Sequence, residues 1–289
     1  MKGRSYRLTA LDVGHRIRVV VRGTNSHGTT STISRVTAAI TTLTGSAPDP
    51  NLFTLVPSSG NGTPPAGIPR SDVECAAAVT PTGEKRPSNT TDNNTVPSDP
   101  SAIEWGSGWH YWPKFVADRD KVTGDFTGTT DEIIQWAACK WGLDVNEARA
   151  EAWLESGWYM STAPGCAGPE KSFGLFQVVA EDCNGHTVHG GYPYVADDTA
   201  LGADYWGAWI RACFDGAFLD SEQPAADSPA GGYNGQSIAS LIAANGENYA
   251  LYGCVGAWNT NAWYNAAAQD YINIVKQDEQ SQLWLQPNT

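Results

Sequence analysis

All 12 tryptophans and all six cysteines of the 289-residue chain lie beyond residue 45. A chain partitioned in this way cannot share one core along its whole length, so two unlike pieces are expected. Charge divides at the same place. Residues 1–45 carry seven Lys/Arg and a single acid, Asp12, a net +6, whereas the remainder sets eleven bases against thirty acids, a net −19. The total of −13 argues against a nucleic-acid partner, which requires basic patches. The 41% hydrophobic fraction suffices for a core and argues against whole-chain disorder. No apolar run approaches the ~18 residues of a membrane span.

The first piece reads as β. Ile17, Val19 and Val21 alternate with Arg16, Arg18 and Arg22, a turn cluster occupies residues 24–28, and a Thr/Ile/Val-rich stretch follows to Ile40. Two or three strands fall short of the roughly seven a sandwich needs. The words Tyr6-Arg7-Leu8-Thr9, Asp12-Val13-Gly14 and Val21-Arg22-Gly23-Thr24-Asn25 resemble the C-terminal half of a bacterial immunoglobulin-like surface repeat. The resemblance implies a chain that begins in mid-domain. No apolar h-region follows Met1-Lys2-Gly3-Arg4-Ser5, so no secretory signal is visible. A self-contained hairpin is the alternative. The expected organisation is a partial immunoglobulin-like segment over 1–45, a Pro/Gly/Ser linker over 46–68 and a mainly α domain over 69–289.

Within that domain, residues 80–100 are Pro/Asn/Thr-rich and read as solvated loop, although Asn89-Thr90-Thr91 has the spacing of a glycosylation acceptor. Thr129-Thr130-Asp131-Glu132 has capping-box spacing and opens a helix over Asp131–Trp141. Asp144 or Asn146 caps a second, Glu147–Ser156, with Gly157 as its stop. Further helices are expected over Thr199–Phe214, Ser237–Ala244 and Trp263–Leu283.

Cys75, Cys139, Cys166, Cys183, Cys213 and Cys254 form no CxxC pair, so metal or redox spacing is absent. An even, widely spaced set suggests disulfides in an oxidising compartment, with a secreted or cell-surface location. The sequence does not choose among the fifteen connectivities; the working expectation is Cys75–Cys139, Cys166–Cys183 and Cys213–Cys254. His186 and His189 lack further ligands at recognisable spacing and read as surface loop.

Ala148, Ala152 and Glu155 stand at i, i+4 and i+7, so Glu155 prolongs an apolar stripe. It also falls in the last helical turn, where the dipole's negative end disfavours a carboxylate. Apolar surroundings act in the same direction and would raise its pKa toward the range of a general acid.

Glu155-Ser156-Gly157-Trp158 is followed by Ser172-Phe173-Gly174-Leu175-Phe176-Gln177. The two words together resemble the goose-type lysozyme and soluble lytic transglycosylase family. That family's third word, an aromatic-Asn pair, is best matched by Trp258-Asn259, and its late-helix tyrosine by Tyr271. Trp258 departs from the usual tyrosine, and Tyr233-Asn234 offers a second match. The words Ile134-Gln135-Trp136-Ala137-Ala138-Cys139-Lys140-Trp141-Gly142, Ile210-Arg211-Ala212-Cys213 and Gly253-Cys254-Val255-Gly256-Ala257-Trp258 make residues 70–285 resemble a secreted actinobacterial branch with this domain. The resemblance implies a lysozyme-like fold and cleavage of peptidoglycan glycan strands between N-acetylmuramic acid and N-acetylglucosamine. In this reading Glu155 is the acid/base, Ser172, Gly174, Gln177, Trp258 and Asn259 contact the sugar, and Tyr271 orients Glu155 or the sugar. No cofactor or metal is implied, and a monomer is expected.

Glycosidases commonly use two carboxylates; Glu170, Glu181 and Asp182 read more simply as loop residues. One glutamate suffices if the muramic acid's own C6 hydroxyl is the acceptor, which is the lytic transglycosylase outcome. Activated water would give a lysozyme. An inactive surface glycan-binding module and a chitinase-like glycosidase stay open. Trp105, Trp109, Tyr111, Trp112, Trp206, Trp209, Trp258 and Trp263 offer flat faces for sugar rings, though most, at helical spacing, read as core.

Overall fold

A computed structural model describes residues 15–26, 28–37, 50–99, 103, 105, 113–160, 170–182, 191, 194–218, 236–260 and 263–286. The chain divides into two compact units, Met1–Ala47 and Pro48–Thr289.

The first unit contains an antiparallel hairpin, β1 (Val20–Asn25) and β2 (Gly28–Ile33), in register from Val20 opposite Ile33 to Asn25 opposite Gly28. Every described residue of both strands is exposed. The alternation of valine and arginine therefore produces a strand pair without producing a buried face.

The second unit is helical, with α1 (Asp72–Ala78), α2 (Pro113–Arg119), α3 (Thr130–Trp141), α4 (Val145–Ser156), α5 (Thr199–Asp215), α6 (Ile238–Asn245), α7 (Glu247–Thr260) and α8 (Ala266–Ser281). A short antiparallel pair, β3 (Glu170–Phe173) and β4 (Val178–Asp182), lies between α4 and α5. Side-chain oxygens set the helix starts. Thr129 and Glu132 close a reciprocal capping box on α3, Asp144 accepts from the Asn146 and Glu147 amides, and Asp198 accepts from Leu201 N. Gly142, Gly157 and Gly216 end these three helices in the left-handed conformation.

α5 is buried along its whole length and packs against α2, α3 and α7. α4 rests on α3 and α8. Gly207 is required where α5 crosses α3, because the Trp141 indole occupies the space a Cβ would need. Disulfides join Cys75 to Cys139 and Cys213 to Cys254, tying α1 to α3 and α5 to α7. Two disulfides fit an oxidising, extracellular-type environment. Cys166 and Cys183 lie outside the described residues. Among the described residues, no helix is long and apolar enough to cross a membrane.

Four sequence expectations change. Glu170, Glu181 and Asp182, read as loop, fall in β3 and β4, whose backbones pair. Residues 50–68, read as linker, belong to the helical unit. Val56 N donates to Gly142 O at 2.8 Å, Arg211 Nη1 to Val56 O at 2.8 Å, and Gly62 N to Asp215 O at 2.7 Å. The Pro/Gly composition marks irregular backbone correctly, but carbonyls left over at helix ends, together with Arg211, give that backbone fixed partners. Asn89 is neither a solvated loop residue nor an accessible glycosylation acceptor. It is 1% exposed, its Nδ2 donates to Trp158 O at 2.7 Å, and its Oδ1 accepts from Met160 N at 3.0 Å. Helices α1, α2 and α7 are additional to those the periodicity suggests.

Candidate active site

α4 carries the principal acid. Its inner face brings Glu147, Glu151 and Glu155 into line at i, i+4 and i+8. Glu147 is 1% exposed, Glu151 fully buried, and Glu155, in the last turn, partly exposed. α8 packs alongside and presents Tyr271 to this row. The Tyr271 hydroxyl donates to Glu155 Oε1 at 2.5 Å and stands 3.4 Å from Glu151 Oε1.

Burial pushes the Glu155 carboxyl up to about 7, and the Tyr271 hydroxyl draws it partly back by stabilising the anion. Desolvation thus supplies the upward shift that sequence reasoning divided between apolar surroundings and the helix end. Burial also raises Glu147, to about 8, and raises Glu151, to which the neighbouring carboxyls add. Tyr271 itself is raised by burial and by these acids, so its phenol keeps its proton.

The turn after β3 closes against the end of α4. Ser156 Oγ donates to Leu175 O at 2.8 Å. This bond joins the Glu155-Ser156 and Ser172–Gln177 words in space. Gly174 takes φ 75°, a conformation glycine adopts without steric cost. Gln177 folds its Nε2 back onto Gly174 O at 2.9 Å. Phe176 stacks on Trp206 with centroids 4.2 Å apart, and its carbonyl accepts from Trp258 Nε1 at 3.0 Å. The turn is therefore fixed from α4, α5 and α7 together.

Of the residues expected to contact the sugar or orient Glu155, Tyr271 touches Glu155, and Gly174, Gln177 and Trp258 build the adjoining turn. Ser172 lies half-buried in β3 opposite Val179. Asn259 is exposed near the end of α7. Among the described residues, Tyr271 is the hydrogen-bond partner of Glu155, and neither Ser172 nor Asn259 bonds to it. Trp206, Trp209 and Trp263 are core, at 0%, 5% and 5% exposure. Tyr233, Asn234, His186, His189, Trp109, Tyr111 and Trp112, and the side chains of Glu170, Glu181 and Asp182, lie outside the described residues. Sequence reasoning did not single out Glu147 and Glu151 as members of the site. Their four-residue spacing ahead of Glu155 was the available signal.

Several acids in this unit are raised by burial: Glu147 and Asp198 to about 8, Glu155 to about 7 and Asp118 to about 6. Such a group keeps its proton in the folded chain after the unfolded chain has lost it. Stability is complete below the ordinary carboxylate range and erodes as pH climbs through the folded values, at ~1.4 kcal/mol per pH unit per group. The melting temperature is expected to be higher at pH 5 than at pH 8, by at least about 5 °C for a unit of this size. Calorimetry across that range checks this, and Glu147→Gln should flatten the slope. A melting temperature that rises from pH 5 to pH 8 would contradict it.

Compared with protein-family models, curated proteins and solved structures, the chain matches none.

Proposed function

We propose that the helical unit is a peptidoglycan-cleaving glycosidase of lysozyme-like fold, acting on the bond between N-acetylmuramic acid and N-acetylglucosamine. The observation that supports it most is the Glu155 carboxyl. It is partly buried, raised to about 7, hydrogen-bonded by Tyr271 and set beside the Gly174–Gln177 turn. A carboxyl poised near neutrality holds a proton to donate and accepts one back without a large energetic cost in either direction. Glu155 protonates the glycosidic oxygen, the C1–O bond breaks, and C1 acquires oxocarbenium character. The Glu155 carboxylate then takes a proton from the oxygen nucleophile that closes onto C1.

Glu151, the other acid at the Tyr271 hydroxyl, is fully buried. It has no access to a sugar or to an attacking water, so it does not serve as the second carboxylate of a two-acid mechanism. Among the described residues no second carboxyl reaches this site, and one acid acting alone favours the substrate's own C6 hydroxyl as nucleophile. The product is then a 1,6-anhydro sugar, and the enzyme a lytic transglycosylase. Glycan strands are the partner this reading requires.

Mass analysis of muropeptides released from purified sacculi tests this, with anhydro-muramyl products expected to exceed reducing-end products at least ten-fold. Reducing-end products alone would make the enzyme a hydrolase. Binding to sacculi without any release, with the disulfides intact, would replace the proposal with an inactive glycan-binding module.

A further inference from the structure

Tyr271 has one phenolic hydrogen and two carboxyl oxygens within reach, Glu155 Oε1 at 2.5 Å and Glu151 Oε1 at 3.4 Å. Two carboxylates facing that one hydroxyl, Glu151 fully buried and Glu155 partly so, would compete for its hydrogen and repel each other. From this geometry we infer that Glu151 is a neutral positioning residue, whose protonated carboxyl backs the Tyr271 hydroxyl and leaves that hydroxyl's hydrogen to Glu155. The inference rests on the glycosidase reading for its consequence on rate, but not for the protonation order itself.

The surroundings support a neutral Glu151. The titratable groups that face it are Glu147 and Glu155 from α4 and Tyr271 from α8. All are acids; burial raises Glu151 most, the Glu147 carboxyl adds to this by charge and hydrogen bonding, Glu155 adds further, and the Trp206 indole N–H, which favours the anion, is the smallest influence. Glu147 is flanked in turn by Asp144 and Glu279. Arg149, the cation on α4, is turned to α3, where its Nε is 2.7 Å from Asp131 Oδ1.

The consequence is directional. With the proton on Glu151 Oε1, that carboxyl donates to Tyr271 Oη and Tyr271 donates to Glu155. Hydrogen bonds linked in one direction strengthen one another. The anion formed on Glu155 as its proton leaves for the glycosidic oxygen is then met by a donor that is itself polarised. The 3.4 Å contact is long for a hydrogen bond, and it shortens when that charge develops. Glu151 never touches substrate, so its effect falls on kcat and leaves KM unchanged.

Two variants and one spectroscopic measurement decide the matter. Glu151→Met keeps the volume and removes the donor. Its kcat on sacculi is expected to fall about ten-fold, less than the 10²–10³ lost with a direct donor to developing charge, at unchanged KM. Glu151→Gln restores a neutral donor and should bring kcat back to within about three-fold of wild type. It should also leave the alkaline limb of the pH profile in place. Glutamate labelled with 13C at its carboxyl, assigned through Glu151→Gln and Glu155→Gln, should show Glu155 losing its proton before Glu151 in the full chain.

Wild-type activity in Glu151→Met would overturn the inference. So would Glu151→Gln as impaired as Glu151→Met, or an alkaline limb moved down by about a pH unit, the signature of a removed negative charge. Should Glu151→Met fail to fold, the labelled wild type still decides the order of titration. A wild-type chain inert on sacculi would remove the glycosidase reading, while the carboxyl titration would still report whether Glu151 is the neutral member.

Discussion

Glu155→Gln is expected to lower the rate of glycan cleavage by at least 10²-fold while leaving the helical unit as stable as wild type. The amide keeps the shape of the carboxyl but has no proton to give and cannot receive one from the nucleophile. Losses of 10²–10⁴-fold are typical when a positioned general acid is removed. Stability is the control that makes the result interpretable. Glu155 is raised to about 7 by burial, so above neutrality the wild-type side chain carries a charge that its surroundings disfavour. The amide carries none, and its melting temperature at pH 8 should equal or exceed that of wild type. Activity on sacculi and calorimetry on the same preparation check both halves. A folded variant retaining more than a tenth of wild-type activity would displace Glu155 from the role assigned to it.

The same side chain illustrates what is legible in the sequence. Its helix could be placed to within two residues because its boundaries are chemical: an aspartate cap at Asp144 and a left-handed glycine at Gly157. The capping box on α3 was legible for the same reason. α7 was not. It contains Gly253 and Gly256 and no amphipathic stripe, which reads as loop. In the fold those glycines are contact surfaces, since a Cβ on Gly253 would strike Trp263 and one on Gly256 would strike Ile272. A helix buried on several sides has no polar face for periodicity to detect. The burial of Glu147 and Glu151 was hidden for a related reason. Their spacing is plain, but a carboxylate row reads as a solvated face until α8 is known to cover it.

The largest structural effect is expected at Asp204, where α5 is fastened to α3. Asp204 is fully buried. Its Oδ2 accepts from Lys140 Nζ at 2.7 Å, Thr123 N at 2.8 Å and Gly124 N at 3.1 Å, and its Oδ1 accepts from Trp141 Nε1 at 2.7 Å. Truncation to alanine leaves two backbone N–H groups and an indole N–H without this acceptor. Lys140, 2% exposed, keeps only the partly exposed Asp72, at 2.7 Å, of its two ion-pair partners. Breaking a buried, hydrogen-bonded charge pair from one side costs about 3–5 kcal/mol, a large share of the ~5–15 kcal/mol that holds a domain folded. Asp204→Ala is therefore expected to lower the melting temperature by about 10 °C. Removing the stranded ammonium as well, in Asp204→Ala with Lys140→Met, should recover part of that loss, because the cost lies in the uncompensated charge more than in the missing contact. Urea unfolding of the wild type, both single variants and the double variant measures the coupling directly. A cost below about 1 kcal/mol for Asp204→Ala would mean that water or Asp72 takes over its bonds. The effect on catalysis should be indirect: α5 also carries Trp206, whose stacking on Phe176 fixes the turn beside Glu155. Asp204→Ala should thus lose activity in parallel with its folded fraction, and at temperatures well below its melting point retain a rate per folded molecule close to that of wild type.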